Sequence, residues 1–226
     1  MMKSIFKPLL FVLVSFFALT GCSEDNSPKE GNEYTIIPTP MSDLPDVVEI
    51  FSLACGNCKN METMIPVMED MTKIDFAKTH VTFNESAQRS AYVYYAAANQ
   101  NGGKPSSEMM ADLFTYTQSG AGADNHDHGE GQKNEEPVKI MTPAQKKEQM
   151  ITIFKKYNMK SPIDLNQAEH EAVYQKMVKA EEIVTNANIA SVPVFLVKGK
   201  YLVNSGAHKT LKDLAATISY LNTLEQ

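Results

Sequence analysis

Cysteine is scarce in this chain of 226 residues, which has only three, at positions 22, 55 and 58. Three cysteines cannot build a fold stapled by several disulfides, and they fall short of a four-cysteine zinc site. Basic charge is also in deficit. The 21 Lys and Arg against 27 Asp and Glu leave a net charge of −6, which disfavours nucleic acid or an anionic lipid surface as a partner. The apolar run from Pro8 to Thr20 falls short of the roughly 20 residues that a membrane-spanning helix needs.

What that run does provide is an export signal. Lys3 and Lys7 form a positive start, the run follows without charge, and "LTGC" (Leu19 to Cys22) closes it with small residues and a cysteine. "LTGC" resembles the bacterial lipobox, which implies cleavage between Gly21 and Cys22 and a lipid on Cys22. The mature chain then has 205 residues and a charge of −8, because Lys3 and Lys7 are lost and no acid precedes Cys22. "SEDNSPKEGNE" (Ser23 to Glu33) has no apolar periodicity and reads as a flexible tether. Ser23 after the lipidated cysteine resembles lipoproteins sorted to the outer membrane.

With Cys22 taken by lipid, the remaining thiols are a pair, Cys55-Gly56-Asn57-Cys58. Before them, "DVVEIFS" (Asp46 to Ser52) is an apolar run of β-branched and aromatic residues and predicts a buried strand. After them, Met61, Met64, Met68 and Met71 recur at helical spacing and predict one core-packing face of a helix kinked at Pro66. "THVTF" (Thr79 to Phe83) predicts a second strand. From 86 to 188 the pattern is helical, with segments starting at Glu85, Ser106 and Thr142 and a fourth presenting Val173, Met177, Ala180 and Val184 on one face. Residues 119–137 have no apolar side chain larger than alanine and predict a mobile loop. "VFLV" and "YLV", joined at Gly199, read as a hairpin, and Leu211, Leu214, Ile218 and Leu221 share a face of a closing helix.

The order β-CxxC-α-β, helical block, β-β-α is that of an α/β thioredoxin-like fold with an inserted all-helical domain. "VVEIFSLACGNC", "KTHVTF" and "SVPVFLVKGKYLV", in that order and about a hundred helical residues apart, resemble the DsbA family of thiol:disulfide oxidoreductases. The implied division is a signal peptide at 1–21, a lipidated tether at 22–33, a thioredoxin-like domain at 34–85 and 189–226, and the insertion at 86–188. The resemblance implies Cys55 as the exposed attacking thiol, Cys58 as the buried resolving thiol, and Pro193 as a cis-proline leaving the Val192 backbone free for a substrate strand. It also implies Glu49 as a buried acid of raised pKa that manages the Cys58 proton. No cofactor beyond the redox-active pair and no metal is implied. The implied setting is the bacterial periplasm, where a lipid-anchored monomer meets unfolded or partly folded envelope proteins and a membrane redox partner. That partner is either a DsbB-like quinone reductase or a reducing donor. One departure stands out: the best-known members have Pro-His between the cysteines, and Gly56-Asn57 implies a milder oxidant.

Other uses of the pair stay open at this stage. A reductase or isomerase of the same fold fits the pattern, as does a lipid-anchored peptide-binding module with secondary redox activity. Zinc held by the pair with His80 or His208 lacks the spacing of a structural site. His126 and His128, with Asp124 or Asp127, lie on a segment too flexible to preorganise a metal site. A structural disulfide across so short a loop constrains the unfolded chain little.

Overall fold

A computed structural model describes residues 27–119 and 141–225. The expected signal segment, Cys22 and the His126/His128 cluster lie outside the described residues. The strands are β1 (Tyr34–Ile36), β2 (Val47–Phe51), β3 (Ala77–His80), β4 (Val194–Val197) and β5 (Tyr201–Val203). They form one sheet in the order β1-β5-β4-β2-β3, in which β2 and β3 are parallel and the other pairs antiparallel. All five residues of β2 are buried, as befits a strand between neighbours with both faces covered. The helices are α1 (Gly56–Glu62), α2 (Ile65–Thr72), α3 (Glu85–Ala98), α4 (Ser107–Gln118), α5 (Pro143–Lys156), α6 (Gln167–Asn186) and α7 (Leu211–Thr223).

Local chemistry accounts for the helix starts. Asn84, Ser106 and Thr210 each accept a backbone N–H of the first turn of their helix. Thr142 with Gln145, and Asn166 with Glu169, form capping boxes. The β4–β5 turn places Lys198 and Gly199 at φ 52° and 59°, a left-handed pair within the three-residue connection from Val197 to Tyr201. Only glycine fits the second position, because a Cβ there would sit 1.8 Å from the Met41 carbonyl oxygen.

Four expectations need correction. The helix after the cysteines breaks rather than kinks: Pro66 cannot donate to the Glu62 carbonyl, and α1 ends with Met64 N–H on Met61 O at 2.8 Å. The break resets the helical phase, so of the methionine stripe only Met68 is fully buried and Met61 packs partly, while Met64 and Met71 are 44% and 49% exposed. The second strand is Ala77–His80 rather than Thr79 to Phe83, and Phe83 is exposed; the inward turn of a lysine at 78 hid its start. The supposed tether is ordered from Lys29, where the Glu33 carboxylate accepts the Lys29 N–H and Gly31 N–H reaches Tyr34 O. That turn leads into β1, a strand the apolar pattern is too short to announce.

Three core clusters pack on the sheet, one of which joins Val48, Ile50 and Leu196 to Ile183, Val184 and Ile189 beside α6. α2 and α7 cover one face through Ile65, Met68, Phe76, Phe195, Leu214 and Ile218. Among the described residues, the insertion shares its core with the sheet. Tyr94, Met109, Leu113, Phe114 and Phe154 pack in one cluster with Phe51, Leu53 and Cys58, so the inserted helices close over the end of the sheet that carries the thiols.

Candidate active site

Cys55 follows β2 by four residues and is the N-cap of α1. Its backbone is extended, with φ −91° and ψ 121°, and its sulfur accepts the Cys58 N–H at 3.2 Å. A helix N-terminus leaves N–H groups without intrahelical partners and carries the positive end of the dipole. The Cys55 thiol is accordingly brought down to about 6, first by the hydrogen bond from the Cys58 thiol and then, against the opposing pull of burial, by the backbone N–H groups of Cys58 and Asn57. Cys58 lies one turn deeper with no exposure and is pushed well above the ordinary thiol range, first by its hydrogen bond to Cys55 and then by burial. Both cysteines are thiols here. The arrangement has one accessible sulfur favoured as thiolate and one enclosed sulfur favoured as thiol.

Gly56 and Asn57 are both exposed in the first turn of α1. A side chain at Gly56 would meet no atom within 4 Å, so packing does not demand glycine there. Asn57 acts on Cys55 through its backbone N–H. Opposite the pair, the Val192–Pro193 peptide bond is cis, and the Val192 carbonyl oxygen lies 3.5 Å from the Cys55 sulfur. Cys55 and Val192 are both partly buried against the cluster beneath.

Glu49 occupies the middle of β2 with no exposure. Burial pushes its carboxyl above the usual range, with Lys78 pulling the other way. The register of β2 and β3 sets Glu49 directly beside Lys78, whose ammonium pairs with Glu49 and, at 2.8 Å, with Glu62 from α1. Burial would lower Lys78, but the two carboxylates outweigh it and hold it protonated. The same nitrogen stands 5.4 Å from the Phe51 ring centre. Glu49 also raises Cys58 electrostatically, so the buried charges and the enclosed thiol belong to one site.

His80 and His208 do not join the cysteines as metal ligands. His80 points one ring nitrogen at the Leu53 N–H and the other at Val81 O, at 2.9 and 2.7 Å. His208 spans Asn204 O and Thr217 Oγ1 on the α7 side. Among the described residues, no three His, Cys, Asp or Glu side chains converge to hold a metal. A cavity of about 510 Å³ adjoins His208, Asp213 and Tyr220 and is lined by neither cysteine of the pair.

Three site residues escape a reading of the sequence: Lys78, His80 in its observed role, and Gln118. Gln118 ends α4 and donates from Nε2 to Leu53 O at 3.0 Å and Cys55 O at 3.3 Å. A lysine inside an apolar strand is a signal that a buried carboxylate faces it. Nothing local points to Gln118, which is 63 residues from Cys55.

No protein-family model matches the chain. Over 87 residues it is 29% identical to the thiol:disulfide interchange proteins DsbA of Escherichia coli K12 and Shigella flexneri. That stretch covers 36% of this chain and spans only 39% of those relatives' length. Structural similarity extends much further. The DsbA of Xylella fastidiosa superposes with a TM-score of 0.62 at 17% identity, covering 87% of this chain and 96% of that one. DsbL of Salmonella enterica serovar Typhimurium gives 0.61 at 17%, covering 88% and 99%. A Proteus mirabilis DsbA variant, in complex with a non-covalently bound peptide PWATCDS, gives 0.56 at 16%, covering 88% and 100%. The chain therefore has the DsbA-type thioredoxin-like fold with its helical insertion, and resembles the DsbA thiol:disulfide oxidoreductases in sequence over those 87 residues.

Proposed function

We propose that this chain is a thiol:disulfide oxidoreductase acting on unfolded or partly folded proteins of the bacterial envelope, to which the lipid on Cys22 tethers it. The observation that carries this reading is the asymmetry of the pair: the Cys55 sulfur is capped by a helix N-terminus and reachable, while Cys58 is enclosed and held as thiol. In the oxidising direction, a substrate thiolate attacks the Cys55 sulfur of the Cys55–Cys58 disulfide. The Cys55–substrate bond forms, the Cys55–Cys58 bond breaks, and the Cys58 thiolate takes a proton managed by Glu49. A second substrate thiolate then attacks the substrate sulfur of the mixed disulfide and expels Cys55 as thiolate. The substrate loses two electrons and the pair gains them. Val192 and Pro193 border the space beside Cys55 where an extended substrate would lie, and that the Proteus mirabilis DsbA binds a peptide supports a peptide substrate.

A stabilised Cys55 thiolate favours the reduced form, and so favours the oxidase direction with a DsbB-like quinone-linked partner to reoxidise the pair. The uncharged, exposed Asn57 supports the second reading, a milder catalyst working as reductase or isomerase. Replacing Cys55 with Ser is expected to abolish disulfide exchange with a reduced substrate protein, and Cys58→Ser, offered a disulfide-bonded substrate, to trap the mixed disulfide that forms when the Cys55 thiolate attacks it and expels a substrate thiolate. Exchange that survives Cys55→Ser would overturn the reading in favour of a peptide-binding module. The potential of the pair against glutathione decides the direction, at about 30 mV per tenfold change in equilibrium.

A further inference from the structure

We infer that His80 is a positioning residue of the thiol site: through Nε2 it accepts the Leu53 N–H and so fixes the turn from which Cys55 caps α1. The inference rests on the reading of Cys55 as the reactive thiol. In the turn that follows Ser52, the N–H groups of Leu53, Ala54 and Cys55 have to be satisfied. Ala54 donates to Ser52 Oγ at 3.2 Å and Cys55 donates to Ser52 O at 3.0 Å, both within the turn itself. Leu53 alone depends on a distant partner, His80, 27 residues away at 2.9 Å and fully buried.

The imidazole is arranged for this one role. Nδ1 lies 2.7 Å from the Val81 carbonyl oxygen, an acceptor only, so Nδ1 carries the proton and Nε2 is left as a lone pair aimed at Leu53. The Tyr95 hydroxyl accepts the His80 backbone N–H at 3.0 Å, and the Phe51 and Tyr94 rings pack against the imidazole at centroid distances of 5.1 and 6.0 Å. A ring held on all sides cannot swing away, and a buried N–H that loses its acceptor is costly to leave unpaired. The turn has to shift instead. Cys55 is two residues further on, and its sulfur lies against the Cys58 N–H at 3.2 Å, a contact that weakens steeply with misalignment.

The test compares His80→Leu, which keeps an apolar body and deletes the acceptor, with His80→Gln, whose amide oxygen reaches about where Nε2 lies. Both are read by thiolate absorbance against pH and by the rate of iodoacetamide alkylation at pH 6 on the reduced full chain. His80→Leu is expected to raise the Cys55 pKa by about one unit and slow alkylation about fivefold, since at pH 6 a rise from about 6 to about 7 takes the thiolate from about one half to about one tenth of the thiol. His80→Gln should stay within about threefold of wild type. A folded His80→Leu with Cys55 unchanged would overturn the inference, and so would His80→Gln behaving like His80→Leu. Should His80→Leu not fold, the wild-type ¹⁵N shifts of the imidazole decide: Nε2 protonated and Nδ1 bare at neutral pH would overturn it, and the reverse would support it. Cys55→Ser separates the two levels, because loss of exchange there alongside an unaffected His80→Leu sinks the clamp alone.

Discussion

The turn that presents Cys55 is held from two sides that differ in kind. On the sheet side His80 accepts an N–H from within β3, enclosed by Phe51, Tyr94 and Tyr95, and beside it Lys78 ties β3 to β2 and α1 through two carboxylates. On the insertion side a single part-buried side chain, Gln118, donates to two carbonyls of the same turn from the last residue of α4. The sheet side is built of interlocking buried groups that must all be satisfied together. The insertion also lends Tyr94 and Tyr95 of α3 to the enclosure of His80, but it holds the turn itself by one amide at a helix end. The difference assigns the thiol's fixed electrostatic setting to the sheet and leaves the insertion as the side that can adjust.

Breaking the sheet side should cost most. Lys78→Met leaves Glu49 and Glu62 facing each other without their shared ammonium, and removing one partner of a buried pair costs about 3–5 kcal/mol. Urea unfolding at neutral pH measures it. Adding Glu49→Gln to Lys78→Met should recover part of the loss, because the stranded buried charge is then gone; a double variant no more stable than Lys78→Met would mean that packing, not charge, was lost.

Acid should loosen the same side. Burial holds the His80 imidazole down to about 4, against an ordinary value near 6.5. Between those values the unfolded chain binds a proton that the folded one refuses. Stability therefore falls as pH drops from about 6.5 to 4 and levels below, by about 3 kcal/mol in all. Unfolding of the disulfide form, in which Cys55 does not titrate, isolates this contribution when wild type is compared with His80→Gln. Equal pH slopes in the two would refute it.

These groups also mark how far the sequence could be read. β2, the hairpin at Gly199, α5 and α7 were legible because their signals are local: β-branched runs, a turn glycine, a Thr-Pro start and a 3.6-residue period. Cys55, Cys58, Glu49 and Pro193 were legible because they sit in or beside motifs. Lys78, His80 and Gln118 act through strand register and helix docking, and no window of sequence contains both ends of such contacts. His80 could be seen as a histidine but not as an acceptor for a backbone 27 residues away. The broken methionine stripe fails for a related reason, since periodicity assumes a continuous helix and Pro66 ends that assumption.

The insertion side predicts a smaller effect. Gln118→Ala removes two part-buried hydrogen bonds from a single amide, a loss of about 1–2 kcal/mol. The Cys55 pKa should move less than in His80→Leu, because the Leu53 N–H keeps its partner. A larger shift from Gln118→Ala than from His80→Leu would reverse the comparison and make the helical insertion the side that sets the thiol.

The smallest effect belongs to the dipeptide, which neither side holds. Asn57 supports the Cys55 thiolate through its backbone N–H, and any residue at that position supplies the same group. A histidine there adds a cation when protonated, close in sequence to the sulfur but in solvent, where screening limits what one charge contributes. Asn57→His is therefore expected to lower the Cys55 pKa from about 6 by roughly half a unit. Each pKa unit corresponds to about 1.4 kcal/mol, and 1.4 kcal/mol to about 30 mV for a two-electron couple, so the disulfide should become easier to reduce by on the order of 15 mV. Gly56→Pro is the control. Proline suits the first helical position, the extended Cys55 backbone tolerates a following proline, and a side chain at 56 meets open space, so it should move the potential less than Asn57→His. Glutathione equilibria of both variants decide between the dipeptide and the buried sheet side: a shift well beyond 30 mV from either substitution would mean that two exposed residues outweigh His80, Lys78 and Glu49 in setting the chemistry of the pair.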